Sequence, residues 1–435
     1  MRGKKLKWKA TASILIGIGI FFVCLFPLRA LMNYHEEHHL FRWTSYDLRE
    51  QLSSTDGFIE FVASFITQFF YIGWLGAALL SLITIGIQLL TWQIMKKIHL
   101  AIPWLYPLSF IPALICFFLS FIPERYQKEE IFREVIEYDF LVRTHQWAAI
   151  VNKPESDIPI SEQGVWCTNY ALAMRGELPD YLFFYHQTGP QGLLTDSQQK
   201  EVLSYFALSD IYLQLGLVND AERMAFNAKQ YIPNNHKSGR LYRRLAEANI
   251  INGQYKIAAK YLHYLQSTLF YGRWTRKMLQ HLDDEEYINQ TYSVSRSIRQ
   301  TTNKNLIPPS KDELFLELIK QNPDNHLAMQ YLLAYHLLQL NQNKLAECMQ
   351  LALQSGYNRI PRAVQECIIG HRMLHQEEEP HLQFTADEDI QTLTRSFFQI
   401  MNDSKNTNNP TLGRPPYSQT YWYYHTQTIL NHSQK

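Results

Sequence analysis

The sequence predicts an all-α protein in which N-terminal transmembrane helices precede an α-solenoid, a domain of stacked helical repeats. Three observations predict it. Hydrophobic residues make up 46% of the 435-residue chain but crowd into its first quarter, in runs about as long as the 20 residues a bilayer-crossing helix needs. From Ile131 to Met401 apolar residues recur at spacings of three and four, and strand-like alternation is nearly absent. Within that region two successive helix pairs share one phase, the pattern of units that bury their apolar faces by stacking. The chain accordingly divides into a membrane domain (1–123), a helical-repeat domain (124–402) and a polar linker with an aromatic C-terminal tail (403–435).

The first apolar run, Ala10 to Leu31, follows Arg2, Lys4, Lys5, Lys7 and Lys9. Signal peptides also open on basic residues, but no small-residue cleavage site follows, so the run reads as an uncleaved anchor. The second, Phe58 to Met95, would make roughly 55 Å of continuous helix against about 30 Å of hydrocarbon, so it divides. "GFIEFVASFITQFF" carries Glu60 and Gln68 and suits an interfacial or re-entrant segment. "YIGWLGAALLSLITIGIQLLTWQIM" then crosses, with Tyr71, Trp74 and Trp92 as interface anchors. Glu60 lies near the segment start, where a carboxylate at the water boundary is the simpler reading and an intramembrane functional carboxylate the other. The third run, Trp104 to Ile122, lies between Pro103 and Pro123 and contains Pro107 and Pro112, which introduce kinks that neighbouring membrane helices accommodate. Positive charge places the N-terminus and Lys96–Lys97 in the cytoplasm. Three crossings then put everything beyond Glu124 on the outer side of a cytoplasmic (inner) membrane.

In the helical region the clearest unit is "YFALSDIYLQLGLVNDAERMAFNAKQYIP". Tyr205, Leu208 and Tyr212 share a face of its first helix, Gly216 ends that helix, Ala221, Ala225 and Ala228 form the small face of the second, and Pro233 stops it. The next unit repeats the phase with Tyr242, Leu245, Gly253, Ala258, Leu262 and Leu265. A looser third contains Asn341 and Ala346, and a degenerate pair surrounds Gly176. "SVSRSIRQTTNKNLIPPSKDE" reads as a loop between helical blocks, and "NDSKNTNNPTLGRPPYSQ" as an extended linker. The run Tyr421 to Tyr424 must dock, either onto its own domain, the simpler outcome, or onto the membrane interface.

These units resemble the tetratricopeptide (TPR) repeat, a helix pair of about 34 residues whose small residues permit close packing. The resemblance covers most of Glu162 to Gly370, with Ser209 in place of the usual glycine and Ala225 in place of the usual late large residue. As a whole, with "DGFIEFVASFITQFFYIGWLGAALL" and "FLVRTHQWAAIVN", the chain is similar to prokaryotic multi-pass membrane proteins that carry a TPR-like extracytoplasmic domain. That resemblance implies a fold and no activity.

Charge and motifs narrow the function classes. The formal net charge of +1 lacks the clustered basic face of a nucleic-acid binder. Five cysteines without regular spacing form neither a disulfide framework nor a zinc cluster, though Cys348 and Cys367 either bridge neighbouring helices or stay free. "YHEEHHLF" contains H-E-x-x-H. In a zinc hydrolase His35 and His39 would hold the metal and Glu36 would take a proton from its water. Against this, the intervening residues Glu37 and His38 are polar, the segment abuts a membrane span, and no third ligand is evident. The alternative is a solvated juxtamembrane helix marking the end of the span. Neither a phosphate-cradling G-x-x-x-x-G-K-[ST] nor a G-x-S-x-G nucleophile elbow occurs. His186 beside Gly189 and Gly192 fits a turn. No cofactor is expected, and a catalytic role ranks behind a non-catalytic one. The leading expectation is a membrane-anchored scaffold with a protein partner held in a concave groove, through Tyr205, Asp210, Tyr242, Arg243 and Asn249. The alternatives are the zinc hydrolase and an accessory subunit of an envelope transport or polysaccharide-assembly system.

Overall fold

A computed structural model describes residues 2–53, 57–99, 102–154, 159–195, 199, 201–232, 237–301, 310–374, 384–404 and 410–433. Pro233, Pro308, Pro309 and part of the expected linker (405–409) lie outside them. Among the described residues every regular element is an α- or 3-10 helix, and no strand occurs. The helices gather into two compact units, each discontinuous in sequence. The first comprises Met1–Phe140, Lys200–Tyr205 and Glu222–Thr291, and the second Leu141–Gln199, Phe206–Ala221 and Tyr292–Lys435.

The first unit contains three helices long and apolar enough to cross a membrane, by length and composition: Trp8–Leu25, Gly73–Lys97 and Trp104–Phe121. Apolar side chains supply little drive for helices to associate in lipid, so polar side chains and close packing must do it. Ser13 Oγ donates to Gln88 Oε1 at 2.9 Å, and the Tyr106 hydroxyl lies 2.7 Å from the same Ser13 oxygen. Gln88 Nε2 donates to Ser109 Oγ at 2.8 Å, and Ser81 Oγ to the Gly17 carbonyl at 2.5 Å. The long run from Phe58 divides as its length requires, into the helix Gly57–Thr67, a 3-10 turn Gln68–Tyr71 and the helix Gly73–Lys97. Arg29 Nη1 donates to the Phe70 carbonyl at the break, at 2.8 Å. In the third run Pro107 lies inside a 3-10 turn, Pro103–Ser109, and Pro112 in the first turn of Phe110–Phe121. The ring replaces an amide there that has no helical partner anyway.

Gly239–Ile251 packs on Tyr255–Gln266, and His326–Leu338 on Gln342–Gln354; Val202–Leu215 and Val218–Lys229 are also helices. In the second unit, Gln330 joins two helices that are distant in sequence. Its Nε2 donates to the Ala173 carbonyl at 3.0 Å, and its Oε1 accepts from the Leu178 amide at 3.2 Å. Asp180 accepts from the Arg362 amide at 2.9 Å and from Arg359 Nη2 at 2.8 Å. The aromatic tail docks within this unit. Tyr421 and Trp422 are buried, the Tyr421 amide donates to Glu366 Oε2 at 2.8 Å, and the Trp422 indole donates to the Glu366 carbonyl at 2.6 Å. Cys348 and Cys367 are free thiols. The stretch expected as a loop from Ser293 instead starts with a helix, Ser293–Ile298. Its end is held by the Gln300 amide donating to the Gly216 carbonyl at 2.9 Å, a long-range bond that polar composition does not advertise.

Candidate functional site

A buried polar cluster of the first unit forms where the chain leaves its first apolar helix. The helix Arg29–His38 buries Leu31 and Met32, but also Asn33, Glu36, Glu37 and His38. Buried carboxylates need partners, because desolvation otherwise costs several kcal/mol per charge. Glu37 finds one in Arg240, the second residue of the helix Gly239–Ile251, whose first turn is capped by Ser238 Oγ accepting from the Leu241 amide. Arg240 Nη1 lies 3.0 Å from Glu37 Oε1 and 2.9 and 2.8 Å from the two oxygens of Asp139. Asn33 Nδ2 donates to the same Glu37 oxygen at 2.9 Å, and the Tyr271 hydroxyl donates to Glu36 Oε1 at 2.9 Å.

A second junction continues the first. Lys237 Nζ donates to Asp47 Oδ1 at 3.1 Å and to Glu50 Oε2 at 2.7 Å. Burial alone would lower the ammonium pKa, but the hydrogen bonds to Glu50 and Asp47 outweigh it and hold Lys237 above its ordinary value. Arg42 Nε lies 3.4 Å from Asp47 Oδ2, and its guanidinium sits 3.8 Å from the centre of the Tyr264 ring. The Trp43 amide donates to the Ser267 carbonyl at 3.1 Å. Between the two junctions Leu40, Leu265 and Tyr271 form an apolar cluster flanked by Tyr71, Tyr242, Tyr264 and Trp274.

Of the H-E-x-x-H residues Glu36 is buried and His35 and His39 are half-buried beside it, and the solvated helix expected from their charge is corrected: the partners that permit burial of Glu36 and Glu37 come from about 200 residues downstream. His35 Nε2 donates to the Phe121 carbonyl at 2.7 Å, and His38 Nδ1 to the Tyr34 carbonyl at 2.7 Å. Burial lowers His35 to about 4, against a partial rise from the Phe121 hydrogen bond, and lowers His39 to about 4 with help from His38. The His35 and His39 rings lie 6.5 Å apart, but the Phe121 carbonyl occupies His35 Nε2 and Tyr271 occupies Glu36. Among the described residues no group of three or more His, Cys, Asp or Glu is placed to hold a metal ion. Arg240 and Asn33 hold one oxygen of Glu37, and Tyr271 holds one oxygen of Glu36.

The five residues assigned to a groove fall in different settings. Tyr205 is buried and stacks on Tyr231 with centroids 5.7 Å apart. Asn249 is buried, its Nδ2 donating to Glu222 Oε1 at 2.6 Å and to the Leu245 carbonyl at 2.8 Å. Tyr242 is half-buried against Tyr264, with centroids 4.1 Å apart. Arg243 pairs with Glu247 at 2.8 Å and lies 5.2 Å from the Trp274 ring centre. Asp210 is partly exposed and belongs to the second unit. Tyr242 and Arg243 thus share a helix with Arg240. Sequence reading missed Arg240, Asp139, Lys237 and Tyr271. The available signal was basic residues at 237, 240 and 243, spaced by three across the start of one helix, complementary to the carboxylates at 36, 37, 47 and 50.

No curated protein and no solved structure matches the chain. A family model described as a family of unknown function (DUF6057) matches residues 4–127 and 122–428. These matches span most of the sequence and both compact units, so the chain belongs to the DUF6057 family.

Proposed function

We propose that the protein is a membrane-anchored helical scaffold that holds a protein partner at the cell envelope, with its N-terminus cytoplasmic and its TPR-like hairpins on the outer side. The observation that carries this reading is the buried Glu37–Arg240–Asp139 junction. It fastens the helix leaving the first apolar span to the hairpin Gly239–Gln266, so that hairpin rides at a fixed position against its anchor. A scaffold needs that rigidity, because presenting a surface from a preordered mount removes part of the entropic cost of binding. Arg243 and Tyr242, on the same helix and partly exposed, are the side chains best placed to meet a partner.

The test is a photo-crosslinking residue at position 243 in the full chain, in intact cells. One protein joined at fixed stoichiometry, and lost in Tyr242→Asp, is the expected result. Adducts no different from those of a label at the exposed Asp283 would end the scaffold reading.

A further inference from the structure

We propose that Trp43 and the two short helices Ser45–Leu52 and Gly57–Thr67 form a second, non-crossing contact with the bilayer, lying in its headgroup interface beside the crossing helices. The inference rests on the membrane reading of the three apolar helices and extends it to a surface that does not cross.

The helices Ser45–Leu52 and Gly57–Thr67 have 8 and 11 residues, roughly 12 and 17 Å, too short to cross about 30 Å of hydrocarbon. Yet their outer side is apolar. Trp43 is 64% exposed, Tyr46 72%, Phe58 69% and Ile59 70%, joined by Leu48, Leu52 and Val62. On the second helix Phe58, Ile59 and Val62 fall on one arc, while Ser64 and Thr67 on the other side are buried. The inner side is fixed to the protein. Asp47 is held by Lys237 and Arg42, and Phe61 and Phe65 each pack on the buried Phe41 with centroids 5.3 Å apart. Trp43 joins this aromatic group, 6.0 Å from Phe65. The segment is therefore a fixed plate with its greasy side outward.

Continuity identifies the occupant. Only the 3-10 turn Gln68–Tyr71 and Ile72 separate Gly57–Thr67 from the apolar helix Gly73–Lys97. The Thr67 end of the second helix must then lie within about 10 Å of where the apolar helix begins. Tryptophan, tyrosine and phenylalanine at that depth suit the boundary between chains and headgroups. Among the described residues the outward charges, Arg49 and Glu60, cancel, so the contact works through apolar burial and needs no anionic lipid.

Spin labels on the full chain test this in bilayers of zwitterionic phosphatidylcholine. Labels replace Tyr46→Cys, Phe58→Cys and Ile59→Cys in a Cys116→Ser background, since the other native thiols are buried. Leu82→Cys, exposed on the Gly73–Lys97 helix, and Asp283→Cys, exposed outside the apolar helices, serve as references. The expected result is oxygen accessibility several-fold above that of a water-soluble nickel chelate at 46, 58 and 59, as at 82, and the reverse at 283. Water-like labels at 46, 58 and 59 with a lipid-like label at 82 would overturn the proposal and leave the membrane reading intact. Labels shielded from both reagents would mean that protein covers the plate, and would overturn it too. A water-like label at 82 would remove the membrane reading itself. Lipid contact that appears only with anionic lipid would refute the apolar mechanism.

Discussion

Arg240 is the side chain the first unit can least afford to lose. Glu37 and Asp139 are almost fully withdrawn from water, at 0% and 2% side-chain exposure. Arg240→Met leaves both carboxylates in the interior without their cation, which we expect to cost about 3–5 kcal/mol. The triple replacement Glu37→Leu, Asp139→Leu and Arg240→Met removes the charges together and should recover most of that loss. Urea unfolding of the purified chain measures both, and a single mutant as stable as the parent would show that the junction does not hold the unit. The histidines give a second residue-scale prediction. A folded value near 4 for His35 and His39, below the ordinary 6.5, means that the folded state disfavours the proton. Their contribution to stability is then full above pH 6.5 and is lost as pH falls from 6.5 toward 4. Allowing for their residual exposure, the loss is roughly 2 kcal/mol for each ring. His35→Gln keeps an amide donor for the Phe121 carbonyl and removes the titration. Its melting temperature should fall less between pH 7 and 4.5 than that of the parent, and an unchanged slope would sink this account.

At the scale of elements, turns separate what the sequence states from what only packing decides. Gly216 and Gly253 end the first helices of the two in-phase hairpins, with φ of +94° and +73°, and both were legible from the repeat phase. A side chain at either costs about 1 kcal/mol in the left-handed region. Their surroundings differ: a Cβ on Gly216 would lie 2.1 Å from the Ile298 carbonyl oxygen, and one on Gly253 meets nothing within 4 Å. Gly216→Ala should therefore cost at least 2 kcal/mol more than Gly253→Ala, by roughly the price of overpacking a rigid site. Equal losses in thermal unfolding would contradict the Gly216–Ile298 packing. The same distinction explains what the sequence left unread. Helix positions follow from a period visible in one stretch of chain, the division of the long run, expected after Phe70 and found at the turn Gln68–Tyr71, follows from its length, and the docking of Tyr421–Tyr424 follows from its aromatic composition. The helix Ser293–Ile298 and the burial of His35–His39 depend on partners far away in sequence, and a local pattern of charge or polarity carries no trace of them.

On the scale of the whole molecule, the three long apolar helices and the helical class were legible because both rest on composition and period over long windows. The grouping of segments into units was not, because it is set by contacts such as Lys237 with Asp47, across 190 positions. The first unit draws on Glu222–Thr291 as well as on the N-terminal 140 residues. A chain ending at Pro123 would keep the three apolar helices but lose Lys237, Arg240, Tyr264, Leu265, Ser267 and Tyr271. Glu36, Asp47 and Leu40 would then face water or lipid without their partners, and Arg42 would lose both the Tyr264 ring and the Ser267 hydroxyl it donates to at 3.3 Å. We therefore expect trypsin to cut after Arg42 in the shortened chain far faster than in the full one, reconstituted in the same lipid. A loss of only about 1.4 kcal/mol in local stability raises the open population tenfold, and several buried polar contacts disappear at once. Equal protection of Arg42 in both chains would mean that the juxtamembrane segment is ordered by the apolar helices alone, with Lys237 and Arg240 adding nothing to it.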